Sequence, residues 1–262
     1  MSSLIINPHK RIGSVIYVVE GEKTEPELIR HIYQNILGYN TLTVKDGEIM
    51  SLNKSDDKYS FVYVITAKHP QISLLEEKSS LEYMSYIYRL LTHNYNLDVE
   101  NNALYFIFDR DRQSNSKKFI KDKILKYENS RDNDNNMNGL FLLSYPCIEA
   151  FYCNARSDET RLANGKEAKR YTKPFLLQDL NKDSLLKATK EFFNIYKRID
   201  DKNFDVALLD KFGNTNNKIL NMEENYYFNH ETYITLSLLI LSLLDLGIIE
   251  IIYWIFCALK FK

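Results

Sequence analysis

The chain has 262 residues, enough for one large domain or a domain with an appendage, and its 45% apolar and 26% charged residues are the balance of a folded globular protein, not a disordered one. Only 8 Gly and 5 Pro exclude collagen-like and long linker segments. The formal net charge is −1, so a nucleic-acid partner would have to be met by a local basic patch and not by bulk charge.

The first strong element is Ser14–Val19, a short run rich in Val and Ile that reads as a buried strand. It ends at Glu20-Gly21, and a charged turn follows. Thr24 then offers an N-cap hydroxyl, Glu27 completes a capping box, and Pro26 sits in the first turn, where its missing N–H does no harm. Leu28, Ile32 and Ile36, flanked by Ile29, Tyr33 and Leu37, give that helix one apolar face, ending near Gly38. Phe61–Thr66 is a second apolar strand. Residues 76–93 form an amphipathic helix with Leu81, Met84, Ile87, Tyr88 and Leu91 inward. Ala103–Phe108 is a third buried strand, and it runs into Asp109-Arg110-Asp111. Residues 116–128 read as a lysine-rich helix, Leu140–Leu143 as a fourth strand, and Pro146 as the opening of a short helix, CIEAFYC. Strands alternating with helices imply an α/β fold with a mostly parallel sheet flanked by helices over residues 1–155.

From about residue 156 to 262 the pattern changes to a mainly helical extension, a candidate dimer or partner interface. Its end, Ile234 to Leu259, is almost wholly apolar and long enough to cross a bilayer. Asp245 and Glu250 interrupt it, and each would cost about 2.5–3.5 kcal/mol near a bilayer centre. The longest uncharged piece, Ile234 to Leu244, has the length of a buried helix, so a buried or dimer-forming helix pair is expected there and a membrane span is not. The cysteines, Cys147, Cys153 and Cys257, form no C-x-x-C pair, so no zinc site is expected. Their odd number, with no secretory signal, points to a reducing cytoplasm.

In open α/β sheets ligands bind outside the carboxyl ends of the strands. Glu20 lies at that end of the first strand, and Asp109 and Asp111 at that end of the third. In extended geometry residues i and i+2 point the same way, so the two aspartates could face one ion. Three converging oxygen donors suit Mg²⁺ or Mn²⁺. D-x-D alone is more often a solvated turn; the pairing with Glu20 across α/β units is the stronger signal. Arg112, Lys117, Lys118, Lys121, Lys123 and Lys126 follow the D-x-D, opposed by Asp122 and Glu128. They are either a phosphate-binding surface or a solvated helix face. Lys23 could hold a phosphate or be a solvated turn lysine. Glu22 and Glu25 lie close by, but a helix start attracts acids in any case. The five histidines show no metal-ligand spacing. No Gly-rich phosphate loop is present, so the chain is not a P-loop ATPase.

Glu20-Gly21 after the first strand and Asp109-Arg110-Asp111 after a later one resemble the signature of the Toprim fold, shared by topoisomerases, primases and several nucleases. The run VEGEKTEPELIRHIY is similar to the RloB-like and AriB-like Toprim proteins (AbiL, PARIS) of phage-defence loci, whose motif is close to E-G-x-x-T-E-P. Ser144, Pro146 and Glu149 match their S-x-P-x-x-E segment. The resemblance covers roughly residues 14 to 155. It implies a metal-dependent nuclease, an effector of abortive infection that cleaves RNA (transfer RNA included) or DNA when an ABC- or AAA-type ATPase partner releases or activates it. Glu20, Asp109 and Asp111 would hold Mg²⁺ or Mn²⁺. Glu20 could instead act as general acid/base, and Glu149 is a further ligand, a water-orienting base, or simply a carboxylate favoured at a helix start. Candidate phosphate contacts are Lys23, Arg112, Lys117 and Lys118. The alternative is a non-catalytic sensor or interaction subunit of an ATPase complex, with the apolar C-terminus as docking or homodimer face.

Overall fold

The computed structural model describes residues 2–45, 48–66, 80–99, 101–110, 118, 122, 139–158, 161–162, 164–173, 175–199 and 234–253. Its centre is a seven-stranded sheet. In chain order the strands are β1 (Ser2–Ile6), β2 (Ser14–Val19), β3 (Asn40–Lys45), β4 (Ile49–Lys54), β5 (Asp57–Ile65), β6 (Ala103–Asp109), β7 (Leu140–Tyr145), β8 (Leu236–Ser237) and β9 (Ile249–Tyr253). The large sheet has the order β3-β4-β5-β2-β6-β7-β8, and β1 pairs with β9 in a separate antiparallel ribbon.

The four strands expected from sequence are the four parallel strands at its centre: β5, β2, β6 and β7. Parallel strands with both faces covered read as unbroken apolar runs. Residues 15–19 of β2 and 104–108 of β6 are accordingly all buried. Antiparallel strands extend both edges, β4 and β3 beyond β5 and β8 beyond β7. Phe106 and Phe141 stack at 4.4 Å between centroids and 7° between planes, tying β6 to β7. Gly139, at φ +93°, immediately precedes β7, and a Cβ there would come 2.5 Å from the Phe106 ring.

Helix α1 (Thr24–His31) continues into one π turn, Ile32–Ile36, and stops at Leu37-Gly38, with Gly38 at φ +79°. Leu28, Ile29, Ile32, Tyr33, Ile36 and Leu37 are all buried, as the spacing implied. The capping box does not form. Thr24 is already helical, Lys23 takes the cap position, and no side chain caps the turn. Helix α2 (Ser80–Arg89) likewise ends in a π turn, Leu90–Asn94, and buries Met84, Ile87 and Leu91. After the cis Tyr145–Pro146 bond come α3 (Ala150–Arg156), α4 (Gly165–Thr172), α5 (Lys182–Ile199) and α6 (Leu239–Asp245); α3 packs on α5. Among the described residues no helix is long and apolar enough to cross a membrane.

The helix pair expected within Ile234–Leu259 is not what forms. Up to Tyr253 that stretch is a two-residue strand, a seven-residue helix and a five-residue strand. An unbroken apolar run carries no period, and here Gly247, at φ +64°, splits it. Leu238 to Leu244 are buried inside the chain's own core, so these residues offer no apolar face to a partner. Polar tethers hold the segment. The Tyr17 hydroxyl donates to Ser242 Oγ at 2.9 Å, and the Tyr105 hydroxyl donates to Asp245. Asn154 donates to the Thr235 carbonyl and accepts from the Ser237 N–H, both at 3.0 Å.

Asn154 is 2% exposed, so its amide cannot be replaced there by water. Asn154→Ala is expected to lower unfolding free energy by about 1–3 kcal/mol for each orphaned backbone group. Urea unfolding measures this, and an unchanged midpoint would contradict the tether.

Candidate metal centre

From β2 the chain builds β3, β4 and β5 on one side of β2 and then crosses to β6 on the other side. That reversal opens a crevice at the carboxyl ends of β2 and β6, the switch point where ligands bind in such sheets. Glu20 follows β2, and Asp109 is the last residue of β6. The ladder brings them together: Glu20 N–H donates to the Ile107 carbonyl at 3.2 Å, and Asp109 N–H donates to Glu20 Oε2 at 3.2 Å. β7 completes the site from the next position, because the turn after it carries Cys147, Ile148 and Glu149. The Ile148 N–H donates to Asp109 Oδ1 at 2.8 Å, which fixes that carboxylate against the turn. One ligand atom each from Asp109, Cys147 and Glu149 lies within 4.8 Å of the other two.

A further carboxylate enters from α1. Glu25 is 5% exposed, and a side chain at Gly21 would overlap its carboxylate, so the glycine after Glu20 makes room for it. The sequence had offered Glu25 only as one of several helix-start acids, and its burial under the Glu20-Gly21 turn is a feature of the fold. Glu22 and Lys23, by contrast, are exposed.

These groups oppose one another. Burial first, and then the charges of Glu25, Glu20 and Glu149, push the Asp109 carboxyl well above the usual carboxylate range. Burial likewise raises Glu25, the Glu149 charge adding to it, while Lys169 of α4 offsets part of the effect. The Cys147 thiol is pushed up by burial and by the charges of Asp109 and Glu149. Glu149 itself is 5% exposed, and its Oε2 is buried with no hydrogen-bond partner. No side-chain cap bond forms at α3, so Glu149 is not there to cap the helix. An acidic cluster with an orphaned carboxylate oxygen fits a divalent cation, which would relieve both the repulsion and the missing bond.

Of the candidate site residues, Glu20 lies against Asp109, and Asp109 groups with Glu149. Asp111, Arg112 and Lys117 lie outside the described residues, as does the lysine-rich stretch except for Lys118 and Asp122, both exposed. Ser144 turns away from the crevice, its hydroxyl 2.9 Å from that of Ser237. Arg110 is buried, and its N–H donates to the Ser144 carbonyl at 2.8 Å. Sequence reasoning missed Cys147 as a site residue, because no spacing along the chain links a lone cysteine to carboxylates on other elements. No family model, no curated protein and no solved structure matches this chain.

The raised carboxyls have a signed consequence for stability. A carboxyl whose folded pKa is raised holds its proton better in the folded state, so the folded state is favoured below the ordinary carboxylate range (about 4) and loses ground as pH rises above it. Asp57, which the Ser60 hydroxyl pulls down, works in the opposite sense, so the comparison must be made between variants. Without added metal, Asp109→Asn is expected to melt higher than wild type at neutral pH, the gap closing as pH falls toward 4; the asparagine oxygen can keep the Ile148 bond. Melting curves across that range decide it, and a variant less stable than wild type at neutral pH would contradict the repulsion.

Proposed function

We infer that the protein is a divalent-metal-dependent phosphodiesterase of the Toprim type that cleaves nucleic acid, RNA or DNA, as the effector arm of an antiphage system paired with an ATPase. The observation that supports this reading is Asp109 at the switch point of a parallel sheet, bonded to Glu20 on one side and grouped with Glu149 on the other. Mg²⁺ or Mn²⁺ would be held by Asp109 and Glu20, with Asp111 two residues beyond Asp109 in sequence as the third ligand. A cation held there supplies Lewis acidity to a phosphoryl oxygen and acidifies a water.

The chain's own groups would do the rest. Glu20 accepts from the Asp109 N–H through Oε2, which braces its carboxylate beside Asp109. It either shares the cation or moves a proton at the attacking or leaving oxygen. Glu149 Oε2 is an acceptor with no partner, the kind of group that orients a nucleophilic water. The Ile148 N–H keeps Asp109 pointed into the crevice. Lys23 and Lys118 are exposed and would be the contacts to backbone phosphates.

The test is a cleavage assay on total RNA and plasmid DNA with Mg²⁺ or Mn²⁺, comparing wild type, Glu20→Ala and Asp109→Asn. Metal-dependent cleavage of one polymer is expected, lost by about 10²-fold or more in either variant, the scale of one acid–base group. Full cleavage by Glu20→Ala would contradict the mechanism. Wild type that cuts neither polymer, with or without the partner, would leave the non-catalytic subunit as the better reading.

A further inference from the structure

A lone cysteine in an acidic crevice is by itself no site. Here two further features stand beside it. Cys147 Sγ, an Asp109 oxygen and a Glu149 oxygen all lie within 4.8 Å of one another, Asp109 at the end of β6 and the other two in the turn that follows the adjacent parallel strand β7. Glu149 Oε2, in a residue 5% exposed, has no hydrogen-bond partner.

Ion size and ligand softness decide what such a set prefers. Mg²⁺ and Mn²⁺ take oxygen donors and gain little from sulfur, whereas thiolate beside carboxylate suits a borderline cation of the zinc and cobalt kind. Bonds of about 2.0–2.3 Å put ligand atoms around one tetrahedral ion about 3.6 Å apart, so the observed grouping needs side-chain adjustments of about an ångström. Three protein ligands with a fourth position open is the arrangement of a reactive site rather than a closed structural one. Asp109 is partly exposed, and that side gives the ion a way in.

We propose that Asp109, Cys147 and Glu149 form a mixed oxygen–sulfur site that takes Zn²⁺ or Co²⁺ in competition with the hard cation assigned to the crevice. The ion replaces the thiol proton, which passes to solvent, and no electron is transferred. This rests on the crevice being a metal site, as read above, but it adds a ligand and a cation class. Zinc bound there would occupy Asp109 through ligands unsuited to Mg²⁺, and so it would inhibit a magnesium-dependent reaction.

Cobalt is the probe. Full-length, metal-free protein titrated with Co²⁺ is expected to develop a near-ultraviolet sulfur-to-cobalt charge-transfer band that Zn²⁺ abolishes and excess Mg²⁺ does not. Cys147→Ser should remove the band and weaken Co²⁺ binding by about 10- to 100-fold or more, since even losing a partner of a ligand costs that much. Cys153→Ser, whose thiol is buried outside the grouping, should keep it. No band in wild type overturns the proposal whether or not the variants fold, and so does a band that survives Cys147→Ser. The nuclease reading fails separately. Wild type with an intact band but no cleavage in Mg²⁺ or Mn²⁺ would remove that reading and leave this site standing.

Discussion

The structure turns on the mutual repulsion of carboxylates gathered at one end of a buried sheet. Glu20, Glu25, Asp109 and Glu149 come from four different parts of the chain and are pressed into one crevice. Removing such groups from water is costly, and gathering like charges adds to the cost. A single substitution to asparagine or glutamine would relieve part of that repulsion. On the function proposed above, a divalent cation would offset that repulsion, and this is how the fold would connect to chemistry.

The rest of the fold holds the crevice against that repulsion. β2 and β6 are buried over their length, and the Tyr17–Tyr105 rings stack at 5.4 Å between them. Phe106 on Phe141 carries the packing to β7, whose following turn delivers Cys147 and Glu149. Behind this, α6 and β8 close the far edge through Asn154, Ser144 and Ser242. The C-terminal stretch thus supports the strand that carries half of the site. Local order at the centre comes from backbone donors: the N–H groups of Asp109 and Ile148 each meet a carboxylate that would otherwise drift toward water.

What the sequence made legible follows from physical pattern. β2, β5, β6 and β7 stood out because parallel strands covered on both faces are runs of apolar residues. β3 and β4, with the polar runs NTLTVK and IMSLNK, gave no such run. β8, α6 and β9 were merged into one apolar tract whose breaks are set by Gly247 and by tertiary pairing with β7 and β1. Glu20 and Asp109 were readable because they end strands at the edge where such sheets bind ligands. Glu25 was not, since acids at helix starts are common, and only its packing under Gly21 distinguishes it. Cys147 was invisible for another reason: its partners arrive through the β6–β7 register and not through spacing along the chain.

The most direct test of the central idea is thermal unfolding of the full-length protein at neutral pH during titration with Mn²⁺, beside Asp109→Asn. Ligand that binds only the folded state stabilises it by about 2.7 kcal/mol at a hundred times its dissociation constant. The expected result is a saturable rise in wild-type melting temperature that the variant lacks. Equal melting curves with and without the ion in wild type would contradict the claim that these carboxylates are gathered to hold a cation.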